Sequence, residues 1–138
     1  MQIHASCVVR DGYAVLLLGP PGSGKSDLAL RLLGEGFILV ADDRVEVEDG
    51  VARPPAVLAG LLEVRGLGIL RLPHVAQARL ALAVVLGRGP RLPHPARYEA
   101  LGLPSVRVDP GTASAPVRVG LALDCVLGRV EQVAGAFA

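Results

Sequence analysis

The stretch LLLGPPGSGKSDLALRLL, residues 16–33, determines the fold that we expect for this chain. An apolar run ends in a turn rich in glycine and proline, and apolar residues then recur at helical spacing from Lys25 to Glu35. The helix is predicted to stop at Gly34 and Gly36. A strand, a glycine-rich loop and a helix therefore follow one another directly, which is typical of a phosphate-binding loop.

The loop matches the pattern G-x-x-x-x-G-K-[ST]. In such loops, backbone N–H groups and the helix N-terminus hold phosphates, the lysine neutralises the β and γ oxygens, and the hydroxyl binds Mg²⁺. The alternative is a plain glycine-rich turn with a solvent-facing lysine, and the flanking strand and helix argue against it. The predicted nucleotide-binding residues are Gly19, Pro20, Pro21, Gly22, Ser23, Gly24, Lys25 and Ser26.

Two strand-like runs ahead of the loop, IHASCVVR and YAVLLL, are joined by the dipeptide Asp11–Gly12, which favours a type I′ hairpin. Pairing Arg10 with Tyr13 fixes the register and places His4 across from Gly19. Taken alone, this histidine would be read as a half-buried strand residue. At the mouth of the loop, it could instead orient a nearby acid or relay its proton.

The run FILVADD is predicted to be a short buried strand that ends in Asp42 and Asp43, shortly after Lys25. A nucleotide site needs one carboxylate for Mg²⁺, and a second can accept a proton from an attacking hydroxyl. Two adjacent acids can divide these tasks. Without the loop before them, they would be read as an Asx turn or a solvated strand end.

The rest of the chain predicts an α/β domain with a mixed β-sheet. The expected elements are a hairpin in VEVEDGVARP that turns at Asp49 and Gly50, strands in LLEVRGLGIL, RLALAVVL and PSVRVD, a loop in GRGPRLPHPARY, and a helix from about Gly120 to Ala138.

Composition narrows the classes of function. A chain of 138 residues that is 51% hydrophobic suits one domain with one site. Aromatic residues make up only 3% and the net charge is +1, so we expect no nucleic-acid surface. Cys7 and Cys125 are read as buried apolar residues in a reducing compartment. No apolar run approaches the roughly 18 residues that span a bilayer, so we expect a soluble cytoplasmic protein with no membrane partner.

His4, GSGKSDLAL, LVADDRVEV and LLEVRGLGI together resemble the bacterial HPr kinase/phosphorylase family. The resemblance extends from His4 to about Gly120 and covers the catalytic domain of that family without its N-terminal domain. It implies that residues 1–138 form a single P-loop kinase catalytic domain, with the fold shared by the HPr kinase C-terminal domain and phosphoenolpyruvate carboxykinase. The residues alone indicate only a phosphotransferase that uses Mg²⁺ and a nucleotide.

The resemblance implies a specific reaction. Members of this family use ATP and Mg²⁺ to phosphorylate a serine of HPr, the small phosphocarrier protein of the sugar phosphotransferase system. They reverse the step by phosphorolysis, in which inorganic phosphate attacks phosphoserine and pyrophosphate forms. The family also implies a homo-oligomer, a hexamer.

The resemblance also implies roles for single residues. Lys25 would hold the transferred phosphoryl group, and Ser26 and Glu63 would bind Mg²⁺. Asp43, with Asp42 beside it, would act as base toward the seryl hydroxyl and as acid in reverse. The implied catalytic set is His4, Lys25, Asp42, Asp43 and Arg65, in which His4 supports the acid.

The chain departs from the family in PVRVGLALD, where Leu121 stands at a place that the family fills with arginine. Arg118, Arg97 or Arg129 would have to replace that charge. The C-terminal segment is also short, so we expect kinase activity to survive and phosphorolysis to be weak. Two other functions stay open: a noncatalytic nucleotide-binding regulator, and a P-loop small-molecule kinase that uses residues 87–98 as its lid.

Overall fold

A computed structural model describes all residues from Met1 to Ala138, which fold into eleven β-strands and two α-helices. The strands are β1 Gln2–Ile3, β2 Ser6–Arg10, β3 Tyr13–Leu18, β4 Ile38–Ala41, β5 Val45–Glu48, β6 Val51–Arg53, β7 Leu61–Val64, β8 Gly68–Arg71, β9 Ala78–Leu86, β10 Ala96–Tyr98 and β11 Leu103–Val108. The helices are α1 Lys25–Leu33 and α2 Ala115–Val126, and a single 3₁₀ turn covers Ala56–Leu58.

Nine of the strands form one mixed sheet, in which seven follow the order β1-β5-β6-β9-β3-β2-β4, and β11 and β10 extend it beside β9. Strand β9 is long enough to pair with β6 near its start and with β11 near its end, and β10 pairs with β11. Strands β3 and β11 both run parallel to β9, whereas the other pairs in this sheet are antiparallel. The predicted α/β fold with a mixed sheet is confirmed.

The sheet brings the ends of several strands to one edge. Because β2 is antiparallel to both β3 and β4, these two strands point the same way. The glycine-rich loop after Leu18 and the acidic pair after Ala41 therefore leave the sheet at the same edge. The loops that follow Leu86 and Val108 leave it there as well, because β9 and β11 are parallel to β3. Loops at this edge of an α/β sheet commonly form the ligand site.

Both helices pack on one face of the sheet. Leu28, Ala29 and Leu32 of α1 are buried in an apolar cluster with Leu17 and Leu123. A second buried cluster, which includes Cys7, Leu16, Val40 and Leu103, fills the opposite face. The two faces alternate along β3, as a strand buried on both sides requires. No helix in the structure has the length and apolar character needed to cross a bilayer.

The two predicted hairpins form as expected. Arg10 pairs with Tyr13, and the register continues to Ser6 and Leu17. Asp11 has a φ of 54° and Gly12 a φ of 82°, which is the left-handed conformation that a type I′ turn requires. The hairpin of β5 and β6 turns in the same way at Asp49 and Gly50, with Glu48 opposite Val51.

The run LLEVRGLGIL was predicted to be one strand, and this is wrong. It folds into a separate two-stranded hairpin in which Val64 of β7 pairs with Gly68 of β8. Gly66 and Gly68 have φ values of 81° and 136°, and no atom lies within 4 Å of where their Cβ atoms would stand. These glycines therefore serve the turn itself, and the structure does not place another part of the chain against them.

The C-terminal helix was predicted to span about Gly120 to Ala138, and both of these bounds are wrong. Helix α2 begins at Ala115 with Pro116 in its first turn, a position that proline favours. It ends at Val126, and Gly128 has a φ of 73°. Gly120 therefore lies inside the helix rather than at its start, and its Cα faces the guanidinium of Arg10. The predicted loop from Gly87 to Tyr98 also differs, since its last three residues form β10.

The two cysteines have different surroundings. Cys7 is completely buried, and burial raises the pKa of its thiol far above the usual range, so it carries almost no thiolate. Cys125 is half-buried and borders a surface groove. A thiol reagent is expected to label one cysteine in the folded protein at neutral pH and both in guanidinium chloride, as counted by intact-protein mass. Rapid labelling of Cys7 in the folded protein would contradict its position in the core.

Candidate functional site

The loop between β3 and α1 has the backbone shape of a phosphate-binding loop. Gly22 and Gly24 have φ values of 80° and 100°, which favour glycine. Ser23 N–H donates to the carbonyl of Pro20 at 3.1 Å, and Leu28 N–H donates to that of Gly24 at 2.9 Å. The first N–H groups of α1 have no partner within the helix, so they are available to an anion.

Lys25 holds its ammonium group at this loop. Nζ donates to the carbonyl of Gly19 at 2.6 Å and to that of Pro20 at 3.1 Å, and it forms no ion pair. Lys25 is also the only lysine among the 14 basic residues of the chain. Its positive charge is therefore not neutralised by any protein carboxylate.

The two adjacent acids face different surroundings. Asp42 is only 8% exposed, and its Oδ1 accepts hydrogen bonds from Ser6 Oγ at 2.6 Å and from Ser26 Oγ at 2.8 Å. Its Oδ2 lies 3.0 Å from Ser26 Oγ. A buried carboxylate is tolerated where hydrogen bonds replace its lost water. Asp42 therefore lies beneath the loop and accepts a hydrogen bond from the hydroxyl of Ser26.

Asp43 points the other way. Its side chain is exposed, and its backbone adopts a left-handed φ of 68°. Its carbonyl accepts a hydrogen bond from Ala5 N–H at 3.3 Å, which fixes this turn against the start of β2. A left-handed φ is uncommon outside glycine and is tolerated best by aspartate and asparagine. The backbone reversal is what separates the two carboxyl groups.

Most of the predicted site residues border one polar cavity of about 420 Å³. Lys25, Ser26, Asp43, Glu63 and Arg65 all border it, although Glu63 and Arg65 come from the separate hairpin of β7 and β8. The other residues that border it are Ser6, Pro21, Gly22, Ser23, Gly24, Asp27, Leu30 and Val64. A larger groove of about 610 Å³ near the C-terminus contains none of the predicted site residues, and six of its ten lining residues are hydrophobic.

The donors around the cavity suit a hard cation. Ser26 and Glu63, the predicted metal ligands, offer oxygen atoms at the cavity, and oxygen is the ligand atom that Mg²⁺ prefers. The structure contains no cluster of three or more histidine, cysteine or acidic residues that could hold a metal by themselves. Mg²⁺ at nucleotide sites is commonly held by one or two protein ligands, and phosphate oxygens and water complete its coordination.

His4 does not lie where the hairpin register placed it. The pairing of β2 with β3 ends at Ser6 and Leu17, and His4 is exposed and does not border the cavity. The chain turns away at this point because Ile3 pairs with Val45 in a different strand. The predicted pairing of His4 with Gly19 is therefore wrong, and its support of the acid remains a prediction.

The missing arginine at Leu121 is not replaced near the loop. Leu121 is 49% exposed on α2, and none of the three candidate arginines borders the polar cavity. Arg129 pairs with Asp11 at 2.8 Å, and Arg97 donates to the carbonyl of Gly102 at 2.8 Å. Arg65 and Lys25 are the basic residues that do border the cavity.

Ser6, Asp27, Leu30 and Val64 were not predicted as site residues. Ser6 lies in an otherwise apolar run, and its partner Asp42 is 36 residues away in sequence. Asp27 forms an ion pair with Arg31 one turn later, at 3.1 Å. A polar residue inside a buried strand was the available signal for Ser6, since such a hydroxyl needs a partner.

Gly19 is expected to tolerate no side chain. A Cβ atom there would stand 2.4 Å from Ser23 Oγ and 3.1 Å from Ser23 Cβ, inside van der Waals contact. Gly19→Ala should therefore distort the loop and weaken ATP binding about 5- to 150-fold, since overpacking costs roughly 1–3 kcal/mol. Ser23→Gly added to Gly19→Ala should recover part of the affinity, as measured by calorimetry. Unchanged binding by Gly19→Ala would contradict this geometry.

Known proteins resemble this chain most clearly in its first half. The family model described as "HPr Serine kinase C-terminal domain" matches residues 1–78, more than half of the chain. The chain is 43% identical over 76 residues to an HPr kinase/phosphorylase of Clostridium novyi, a match that covers 52% of this chain and 25% of that protein. It is 41% identical over 76 residues to one of Clostridium acetobutylicum, with the same coverage.

The chain thus spans about a quarter of the length of these relatives. Its fold is similar to a solved structure titled Hpr(Ser) kinase/phosphatase from Coxiella burnetii, with a TM-score of 0.75 and 23% identity. That match covers 94% of this chain and 98% of the other. The matched residues 1–78 contain the loop, both acids and the hairpin that carries Glu63 and Arg65. The chain belongs to the HPr serine kinase C-terminal domain family.

Proposed function

We propose that residues 1–138 form a single P-loop kinase catalytic domain that uses ATP and Mg²⁺ to phosphorylate a serine of HPr. The observation that carries this proposal is the division between the two acids. Asp43 faces the cavity that Lys25 and Ser26 border, whereas Asp42 is buried against Ser26. A cavity with a cation, a hydroxyl suited to a metal and an exposed carboxylate has the groups that phosphoryl transfer to a hydroxyl needs.

Within this proposal the residues have distinct tasks. The loop N–H groups and Lys25 bind and orient the phosphates, and Lys25 stabilises the charge that develops on their oxygens. Asp43 accepts the proton of the acceptor hydroxyl, which is a poor nucleophile while it keeps that proton. Ser26 and Glu63 would hold Mg²⁺, which supplies charge stabilisation at the phosphates when bound. Arg65 lies at the same cavity and adds positive charge toward the phosphates.

The names of the relatives support the proposed acceptor protein. The curated relatives are named HPr kinase/phosphorylase, which supports HPr as the protein acceptor. We propose that the protein acts in the cytoplasm within the regulation of the sugar phosphotransferase system, as a homo-oligomer. The reverse phosphorolysis is proposed to be weak, because Leu121 stands where the family has arginine and none of Arg118, Arg97 and Arg129 borders the cavity.

HPr-dependent formation of ADP tests the proposal. The full chain with ATP and Mg²⁺ should form ADP when HPr is added, and not when the acceptor serine of HPr is replaced by alanine. ADP formation with small hydroxyl compounds but not with HPr would favour the small-molecule kinase. ATP binding without ADP formation for any acceptor would favour the noncatalytic regulator.

Reversibility can be measured with the same proteins. With phosphoserine-HPr and inorganic phosphate, pyrophosphate release is expected to be much slower than the forward transfer. We expect Leu121→Arg to raise the reverse rate more than the forward rate, since it restores a positive charge at the family position. Equal forward and reverse rates in the unmodified protein would contradict the proposed asymmetry.

A further inference from the structure

We propose that Ser6 is a positioning residue that, through Asp42, orients the Ser26 hydroxyl toward the metal. This inference rests on the proposed function, since it assigns a residue to its Mg²⁺ site. Ser6 is completely buried in β2 and lies directly beneath the polar cavity. Its hydroxyl donates to Asp42 Oδ1 at 2.6 Å, which is a short, buried contact to a carboxylate.

Asp42 depends on these hydroxyl donors. No lysine or arginine forms an ion pair with it, and its side chain accepts hydrogen bonds from Ser6 and Ser26. The two hydroxyls approach from different elements, one from β2 and one from α1. Without Ser6, Asp42 would keep only its contacts with Ser26, and its orientation would be less firmly fixed. A hydrogen bond to a charged group is among the stronger polar contacts inside a protein.

The direction of the hydrogen bonds decides whether Ser26 has a free lone pair for a cation in the cavity. A serine hydroxyl has one proton and two lone pairs. Because the Ser26 proton is directed at Asp42, the lone pairs face away from Asp42, and Ser26 borders the cavity. A fixed Asp42 therefore presents a lone pair of Ser26 to a cation in the cavity. The protein groups that orient a metal ligand commonly affect metal affinity about 10- to 100-fold.

The setting of Ser6 argues against a purely structural role. Ala5 and Cys7 on either side of it are buried apolar residues, and so are Val8 and Val9. Packing alone would be satisfied by another small apolar residue at this position. The hydroxyl of Ser6 instead reaches Asp42, the carboxylate that contacts the loop.

The test separates metal-dependent from metal-free binding of ATP. Calorimetry on the full chain would measure ATP affinity in excess Mg²⁺ and in EDTA, for the unmodified protein and for Ser6→Ala. We expect Ser6→Ala to reduce the gain in affinity from Mg²⁺ about tenfold and to leave the affinity in EDTA unchanged. Ser6→Thr keeps the hydroxyl in a strand, where a β-branched residue is favoured, and should restore the gain.

Ser105→Ala is the matched control. Ser105 is also a buried strand serine, 7% exposed on β11, and it does not border the cavity. It should leave both affinities unchanged. Thermal unfolding of each variant shows whether the fold survives the substitution.

The outcomes distinguish this inference from the proposed function. A full Mg²⁺ gain in Ser6→Ala, or an equal loss of affinity with and without metal, would overturn the positioning role alone. An unmodified protein that gains no ATP affinity from Mg²⁺ would overturn the proposed metal site, and the role of Ser6 with it. A protein that shows the expected Ser6 effect but transfers no phosphate to HPr would support this inference and contradict the acceptor.

Discussion

Asp43→Asn is expected to lower the rate of phosphoryl transfer about 10²- to 10⁴-fold, the usual contribution of a general base. The amide cannot accept the proton of the acceptor hydroxyl. The backbone should be preserved, because asparagine tolerates the left-handed φ of 68° about as well as aspartate does. ATP affinity is expected to remain or to rise slightly, since a negative charge beside the phosphates is lost. The initial rate of phospho-HPr formation measures the effect.

Asp49→Asn provides a matched control for this substitution. Asp49 is also exposed and has a φ of 52°, but it lies in the turn between β5 and β6 and does not border the cavity. The same chemical change in a similar backbone conformation should leave the transfer rate unchanged. A normal rate in Asp43→Asn would contradict the role of Asp43 as the base.

Lys25→Ala and Lys25→Arg are both expected to lower kcat/KM at least about 10²-fold, since each removes a group that stabilises charge in the transition state. Arginine keeps the charge, but its planar guanidinium does not reproduce a compact ammonium that contacts two backbone carbonyls. The folded structure should keep its melting temperature, because Nζ forms no ion pair and contacts only those carbonyls. Arg53→Ala, a change to a basic residue outside the cavity, should have no effect on kcat/KM.

Chemical labelling checks the same residue without any substitution. Because Lys25 is the only lysine, an amine-selective reagent has one side-chain target in the chain. ATP with Mg²⁺ should slow acylation of Lys25, as measured by peptide mass, and leave the N-terminal amine unaffected. Acylation of Lys25 at the same rate with and without nucleotide would place the phosphates elsewhere.

Local patterns predicted the parts of the fold that local physics controls. The dipeptides Asp11–Gly12 and Asp49–Gly50 fixed two hairpins and their registers, because a two-residue turn leaves only one pairing. The loop and helix from Gly19 to Leu33 followed from glycine positions and helical spacing. The sequence also predicted that Asp43, Glu63 and Arg65 belong to one site, through the family resemblance rather than through spacing.

Contacts between distant segments were not visible in the sequence. His4 was misplaced because Ile3 pairs with Val45, and nothing near His4 indicates that pairing. The turn at Gly66 was not predicted, because the hydrophobic residues of the run after Gly60 continue on both sides of this turn. Helix α2 was placed too late in the chain, and Gly120 in fact lies inside it and packs against the distant Arg10.

Burial of the two acids at the site was also not visible in the sequence. The division of tasks between Asp42 and Asp43 depends on which of them is buried, and adjacent residues of the same type carry no sequence signal for that. Burial follows from the β2 neighbour and from the backbone reversal at Asp43. These are tertiary features, so the residues alone predict only a pair of acids, and the base role of Asp43 came from the family resemblance.

The most direct test of the central claim is to locate the transferred phosphate. HPr incubated with this protein, ATP and Mg²⁺ would be digested and its peptides analysed by mass spectrometry, with Lys25→Ala as the control. We predict phosphoserine at a single site of HPr, which is absent when Lys25→Ala replaces the unmodified protein. Unmodified HPr in the presence of a protein that binds ATP would contradict the assignment of this chain as an HPr kinase.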